Sequence, residues 1–204
     1  MQISTMAGQA VDAVLSVVAP SVARKWSDQP KTDVLRADGD KELRRYAPML
    51  VACVTVNGTR DKATDAAFSK LSGFIFGKHT GEEDIAMTVP VQQAASDHAV
   101  NQSSETGTYV VRFMMPHKYT LDTLPKPKDP SIRIEQLEAR ELAVITYSGK
   151  ASDALVQRKT QELKEWMGRE GLEASGPVEY GYYDPPFTPP PLRRNEVLFP
   201  VAKA

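Results

Sequence analysis

Bulky apolar residues alternate with small or polar residues along residues 85–91, which is the pattern of a β-strand with one buried face. Ile85, Met87 and Val89 share one side of this predicted strand. Pro90 has no N–H for a sheet ladder, so we expect the strand to lie at a sheet edge or at a bulge. The large side chains need a cover, which is either protein core or a ligand.

The same order of predicted elements occurs twice, over about residues 32–116 and about residues 131–204. Gly58 and Gly149 each follow a predicted strand and precede a predicted helix, 149 − 58 = 91 positions apart. A polar loop is expected at 92–107, and Ser152 is a good N-cap for the second helix. The predicted strands are 43–46, 50–56, 85–91, 109–115, 132–137, 142–147, 178–183 and 196–201, and the helices are 61–76 and 152–167.

This repeated β-α-β-β order predicts an α+β fold. One helix covers only one face of a small sheet, so two such units can bury their remaining faces against each other. A distorted barrel with both helices outside follows, and a cleft between helix and sheet or between the halves is a natural place for a ligand.

Charge and cysteine content exclude several classes of protein. The 204 residues carry 25 basic and 26 acidic groups and a net charge of −1, so we expect no binding to nucleic acid. Cys53 is the only cysteine, which excludes an intrachain disulfide framework and a zinc ribbon. Its apolar surroundings predict a buried, inert thiol. No nucleophile elbow, phosphate loop or dinucleotide fingerprint occurs.

Residues 1–30 form a distinct N-terminal extension in the sequence. Its apolar stretch at 10–19 is too short to span a bilayer, and Asp12 interrupts it. We expect a short helix that docks on the domain, ended by Pro20, or a trimmed presequence. The expected location is cytoplasmic, with a plastid or another organelle as the alternative if residues 1–30 are a presequence.

Five stretches of the chain resemble, in the same order, the motifs of the SOUL haem-binding family. The resemblance implies a distorted eight-stranded antiparallel β-barrel from two pseudo-symmetric β-α-β-β units with two flanking helices, akin to GyrI-like ligand-binding domains. It also implies binding of haem or another tetrapyrrole in a shallow apolar groove beside the first helix. The stretches are ELRRYAP at 42–48, LSGFIFG at 71–77, IAMTVPV at 85–91, YTLDTLPKP at 119–127, and YDPP at 183–186 with LRRNEV at 192–197.

The resemblance also implies a set of site residues. Phe68 and Ser72 stand where some family members carry methionines, and Arg44-Arg45 stands where some carry a histidine ligand. Arginine has no lone pair for iron, so that ligand is absent. The implied porphyrin-binding residues are Ala67, Phe68, Leu71, Ser72, Ile75 and His79.

His79 is the tentative axial ligand to the iron, because it follows the first helix, and a surface histidine is the alternative interpretation. His117 is a weaker candidate, and His98 is expected to be solvated in a polar loop. Several other side chains have both a structural and a ligand-binding interpretation. They are Met87, Met114 and Met115 as core or thioether contacts, Lys70, Lys78, Arg44 and Arg45 as surface groups or propionate partners, Tyr180, Tyr182 and Tyr183 as packing or ring-stacking groups, and Phe187 as a loop or rim residue.

Three functions follow as hypotheses. The first is a non-enzymatic carrier, buffer or sensor of haem or another tetrapyrrole. The second is a haem-degrading enzyme that opens the ring to a bilin, which needs an exposed meso edge and an available iron face. The third is a small-ligand or interaction module of GyrI-like type that does not bind haem. The sequence does not indicate a protein partner.

Overall fold

Nine antiparallel strands and two α-helices make up the fold. The computed structural model describes residues 27–96 and 106–202. The predicted N-terminal extension up to residue 26 and His98 therefore lie outside the described residues. The strands are β1 (Thr32–Asp38), β2 (Lys41–Tyr46), β3 (Met49–Gly58), β4 (Val91–Ala95), β5 (Gly107–Met114), β6 (Arg133–Leu137), β7 (Arg140–Ser148), β8 (Glu179–Tyr182) and β9 (Arg194–Val201), and the helices are α1 (Arg60–Ile75) and α2 (Asp153–Arg169).

The strand order shows how the two predicted units fit together. The order in the sheet is β1-β2-β7-β9-β8-β4-β5-β3-β6. The first unit's β2 pairs with β7 of the second unit, and the second unit's β6 pairs with β3 of the first. If β1 is left aside, the strands β9, β7 and β2 on one side of the central β8–β4 pair correspond in order to β5, β3 and β6 on the other side. Each unit therefore lends one strand to the other.

The expected eight-stranded closed barrel is not confirmed. The described strands form one open sheet of nine, with β1 and β6 at its two edges. The additional strand is β1, a hairpin partner of β2 whose seven residues are all exposed. A strand without a buried face shows no apolar alternation, which is why the sequence pattern missed it.

The two faces of the curved sheet have different cores. On the outer face, α1 packs through Leu71 and Phe74 on β3 and β5, and α2 packs through Leu163 and Trp166 on β7 and β9. The opposite face, here called the inner face, buries an apolar cluster drawn from both units. Its members are Tyr46, Met49, Val51, Met114, Leu142, Val144 and Leu198.

The strand predicted at 85–91 is wrong except at Val91, and the loop predicted at 92–107 is wrong at residues 92–95, which belong to β4, whereas 97–105 lie outside the described residues. Residues 85–90 are not in a strand; β4 begins at Val91, directly after Pro90, which cannot donate to a ladder. Thr88 is buried, and its Oγ1 donates to the Met114 carbonyl over 2.6 Å. Gln93 is also buried, where its Nε2 donates to the Arg60 carbonyl over 2.8 Å. Because Gln92 and Gln93 are polar, the sequence of β4 resembles that of a loop, although both side chains are buried.

The N-termini of the two helices are tied together. Ser152 caps α2 as predicted, with its Oγ accepting from the Leu155 N–H. At the first position of α1, Arg60 is buried and donates to the Tyr182 hydroxyl over 2.7 Å. It also donates to the Ala151 carbonyl and to the carboxylate of Asp153, each over 2.8 Å. Arg60 and Asp153 occupy the same position in the two helices, so this ion pair joins the units near their symmetry axis.

Within residues 27–96 and 106–202, neither helix has the length and apolar character needed to cross a membrane.

Replacing Arg60 with alanine should lower the free energy of unfolding by about 2 kcal/mol, because three buried or partly buried acceptors lose their donor. Urea unfolding followed by far-UV circular dichroism measures the change. The matched control is Arg158→Ala on α2, where an exposed pair with Glu162 at 3.7 Å should contribute less than about 0.5 kcal/mol. Equal effects of the two substitutions would show that the Arg60 contacts do not join the units.

Candidate functional site

The residues predicted on the first helix divide into two groups. Ala67, Leu71 and Ile75 are fully buried and pack in the core between α1 and the sheet. They cannot touch a ligand while α1 is docked on the sheet. Phe68 is 40% exposed and Ser72 is half-buried, so only these two of the five helix residues offer surface.

A third residue, Phe76, extends this surface. It is 56% exposed and is the C-cap residue of α1, and its four-residue spacing from Ser72 and Phe68 brings it near the same side at the end of the helix. We call this side, formed by Phe68, Ser72 and Phe76, the α1 flank. The Phe68 ring meets the buried Phe113 ring at 5.5 Å in an edge-on arrangement, so one side of Phe68 is anchored. The sequence analysis did not single out Phe76, although its spacing from Phe68 was a usable signal.

A lysine lies at the end of the α1 flank. The Lys78 backbone N–H donates to the Gly73 carbonyl over 2.9 Å, and the lysine side chain lies along Gly73. A Cβ on Gly73 would stand 3.2 Å from Lys78 Cδ and 3.6 Å from Nζ, so a larger residue here would displace the lysine side chain by a few tenths of an ångström. Lys70 lies about 200° round the helix from Phe68, where it donates to Ser131 over 3.0 Å. The Lys78 side chain therefore lies against the C-terminal turn of α1, next to a residue that neighbours Ser72 in the chain.

His79 is buried, so its interpretation as a surface histidine is wrong. Its Nδ1 accepts the Gly81 N–H over 3.0 Å, and its ring meets Phe74 edge-on at 5.9 Å. Because Nδ1 is an acceptor, the proton of the neutral ring lies on Nε2, which then has no lone pair for iron. Nε2 has no hydrogen-bond partner among the described residues. Axial ligation by His79 stays a prediction, and this geometry does not favour it.

His117 is exposed at the end of β5. Its Nε2 lies 3.1 Å from the Gln29 carbonyl, to which it donates, and this leaves the lone pair on Nδ1. Within residues 27–96 and 106–202, no group of three or more histidine, cysteine, aspartate or glutamate side chains is placed to hold a metal ion.

The two arginines considered as propionate partners lie far from the α1 flank. Arg44 and Arg45 are on β2, which is separated from β5 by four strands. Arg44 is buried on the inner face, where Nη1 donates to Glu196 over 2.9 Å, and Arg45 pairs with Glu141 at 2.8 Å. Met114 and Met115 are buried in the cores, as their structural interpretation expected.

Buried charges on the inner face were missed by the sequence analysis. Glu179 accepts from both Nη atoms of Arg140, at 2.6 and 2.9 Å. Glu196 accepts from Arg194 over 2.6 Å and from the Tyr183 hydroxyl over 2.8 Å, in addition to Arg44. Burial, and then the negative charge of Glu196, raise the pKa of Tyr183. The only signal in the sequence was a charged residue at an alternating position within an otherwise apolar strand.

A separate pocket of about 330 Å³ lies beside the turn between β2 and β3. Lys31, Arg45, Tyr46 and Pro48 line part of it, and none of its lining residues belongs to α1. It is therefore not the groove implied by the family resemblance.

Cys53 is not a nucleophile. Its side chain is completely buried, and burial, together with the neighbouring Glu135, raises the pKa of the thiol to about 11. A thiol with this pKa is protonated at neutral pH and unreactive.

Comparison with known proteins identifies the family. The model of the family described as SOUL heme-binding protein matches residues 27–200. The chain belongs to the SOUL heme-binding protein family. Heme-binding protein 2 of Mus musculus is 27% identical to it over 156 residues, which are 75% of each protein. Heme-binding protein 1 of Mus musculus is 28% identical over 138 residues, covering 67% of this chain and 70% of that protein.

Solved structures share the fold of this SOUL-family protein. The crystal structure of the EcmrR C-terminal domain matches with a TM-score of 0.62 at 11% identity, covering 80% of this chain and 98% of that one. A hydrolase from Listeria innocua matches with a TM-score of 0.56 at 14% identity, covering 90% and 98%. At these identities the likeness shows a shared fold alone.

The protein should lose stability as the pH rises from about 8.5 to 11. Burial raises the pKa of Cys53 to about 11 and the pKa values of Tyr147, Tyr180 and Tyr182 above their usual range. The unfolded chain releases these protons at about pH 8.5 to 10, while the folded chain keeps them, so deprotonation favours unfolding. Urea midpoints across this pH range measure the decline. The variant Cys53→Ala should show a shallower decline, and midpoints that rise with pH would contradict the burial of these groups.

Proposed function

We propose that this protein binds haem or a related tetrapyrrole on the α1 flank and acts as its carrier, buffer or sensor. The observation that carries the proposal is the exposure of two phenylalanine rings, Phe68 on α1 and Phe76 at its C-cap, on a helix whose large apolar residues Leu71, Phe74 and Ile75 are buried. Membership of the SOUL heme-binding family, and relatives named as heme-binding proteins, support a tetrapyrrole as the ligand.

The α1 flank has the chemistry that a flat, amphiphilic macrocycle needs. The exposed rings offer apolar surface for stacking, and covering them with the macrocycle removes apolar area from water. The Ser72 hydroxyl donates to the Ser69 carbonyl over 3.2 Å, so its proton is already paired. The Lys78 ammonium, lying along Gly73, is placed to pair with a propionate at the edge of the ring.

The buried residues of the predicted site support the α1 flank instead of lining it. Ala67, Leu71 and Ile75 fix α1 on the sheet, and the contact with Phe113 holds the Phe68 ring. A surface held in place before binding loses less side-chain entropy when the ligand arrives. In this proposal His79 is a positioning residue, because it holds the turn between Lys78 and Gly81 and does not ligate iron.

Replacing Phe68 with aspartate should weaken hemin binding about tenfold or more, because a carboxylate would then face the apolar macrocycle. Titration of hemin into the protein, followed by its Soret band, measures the affinity. Phe68→Leu should retain most of the binding, since it keeps the surface apolar. The control is Phe187→Asp, at a 60% exposed phenylalanine in the loop between β8 and β9. Equal affinities of the Phe68→Asp and Phe187→Asp variants would place the ligand elsewhere.

The variant His79→Asn should leave both the affinity for hemin and the position of the Soret band unchanged. An asparagine Oδ1 can accept the Gly81 N–H as Nδ1 does, so the turn is preserved while the imidazole is removed. The companion variant is His117→Asn, at the exposed histidine. A Soret shift in His79→Asn alone would assign iron ligation to His79, and a shift in His117→Asn alone would assign it to His117.

A further inference from the structure

Two arginines on the inner face share one buried carboxylate. Arg140 donates to Glu179 through both Nη atoms, and Nη1 of Arg112 lies 3.6 Å from the same carboxylate. The nearby Arg133 and Glu135 pair with each other at 3.0 Å, so their charges cancel. The group formed by Arg112, Arg140 and Glu179 therefore carries one positive charge in excess.

Several N–H donors of this group have no acceptor in the described part of the chain. They are Arg112 Nε, Arg140 Nε and Gln92 Nε2, while Arg112 Nη1 has only the Glu179 oxygen at 3.6 Å, beyond hydrogen-bond distance. Gln92 is only 4% exposed and lies directly across from Arg112 in the β4–β5 pair. A buried donor without an acceptor costs about 1–3 kcal/mol, so several together call for a partner that supplies acceptors.

A row of paired residues crosses the inner face from Arg112 to Glu196, and its two ends differ in their hydrogen-bond partners. Across β5, β4, β8 and β9 the row reads Arg112, Gln92, Gly181 and Glu196. Glu196 is well supplied with partners, since Arg44, Arg194 and Tyr183 all donate to it. In the centre, Gly181 carries no side chain, and a Cβ there would meet Pro90 and Glu196 at ordinary contact distances of 3.6 Å. At the Glu196 end, Arg194 Nε also lacks an acceptor, but its Nη2 is paired with Glu196, so most of the unpaired donors lie at the Arg112 end.

We propose that Arg112, Arg140 and Gln92 form a binding site for a compact oxyanion, the carboxylate or phosphate group of a small ligand. Guanidinium groups donate to such oxyanions through charge-assisted hydrogen bonds, and a second anion here balances the excess charge. Glu179 orients the guanidinium group of Arg140. The side chains of Arg140 and Arg112 keep 22% and 16% of their surface exposed, which gives the anion a route from solvent.

This site is separate from the proposed tetrapyrrole surface. The α1 flank lies on the outer, helix-bearing face, whereas Arg112 and Gln92 lie on the inner face. The two proposals can therefore fail independently, and Phe68→Asp should leave oxyanion binding unchanged.

Isothermal titration with inorganic phosphate and, separately, with acetate tests the site, using chloride at equal ionic strength as the reference. We expect saturable one-to-one binding of at least one of the two anions, and the comparison tells phosphate from carboxylate recognition. Arg112→Gln should weaken this binding about tenfold or more. Arg158→Gln, at an exposed arginine on α2, is the matched control and should bind as the unchanged protein does. Far-UV circular dichroism verifies that each variant is folded.

A second variant separates binding from folding. Gln92→Leu removes a buried donor that lacks an acceptor and leaves every charge in place, so the free protein should be no less stable. Its oxyanion binding should still weaken several-fold. The proposal is overturned if neither anion binds saturably, or if Arg112→Gln and Gln92→Leu both bind as tightly as the unchanged protein. Ordered water would then be the partner of these donors.

Discussion

Each half of the sheet can bury its second face only against the other half, and the rest of the structure depends on this constraint. A single helix covers the outer face of each half, and the inner cluster takes residues such as Val51 and Met114 from one unit and Leu142 and Leu198 from the other. The exchange of β2 and β6 between the units reinforces this dependence. Neither unit has a complete core of its own, which explains why a repeated sequence pattern produces one cooperative domain.

The two units share a connectivity but differ in chemistry, and the candidate sites arise from this difference. In α2 the large apolar residues Leu163, Trp166 and Met167 are all buried, whereas Phe68 on α1 and Phe76 at its C-cap remain partly in water. On the inner face, Arg112 and Glu196 occupy equivalent positions with opposite charge and with very different numbers of partners. Pseudo-symmetry supplies the framework, and the departures from it supply the surfaces on which ligands can act.

The sequence predicted those elements whose local signals agree with their burial. The second helix, with its Ser152 cap, was predicted correctly for this reason. The sequence also predicted the family, the α+β class and a Cys53 that is not a nucleophile. Prediction failed where tertiary contacts override the local pattern. The apolar alternation of residues 85–91 was not a strand, and Gln92 and Gln93 were buried strand residues because of contacts made far along the chain.

The sequence predicted which helix carries the candidate site, but it did not predict which face of that helix is exposed. The spacing of Ala67, Phe68, Leu71 and Ile75 shows an apolar side, but it does not show how far round the helix the sheet reaches. The burial of His79 depends on the segment around Pro127, which pairs with it across some fifty residues and could not be located from spacing alone. For the same reason, no local pattern indicated that Arg112 and Arg140 would meet at Glu179.

The outermost strand, β1, ends the sheet without inviting further strands. Its register against β2 shifts between Val34 and Arg36, which is the irregularity of a β-bulge. A regular edge strand would present an unbroken series of unpaired N–H and C=O groups to another extended peptide. The bulge interrupts that series, and Asp33, Arg36 and Asp38 add charge to the strand. β1 is therefore a poor template for pairing with another chain, so the exposed edge strand can be tolerated at high protein concentration.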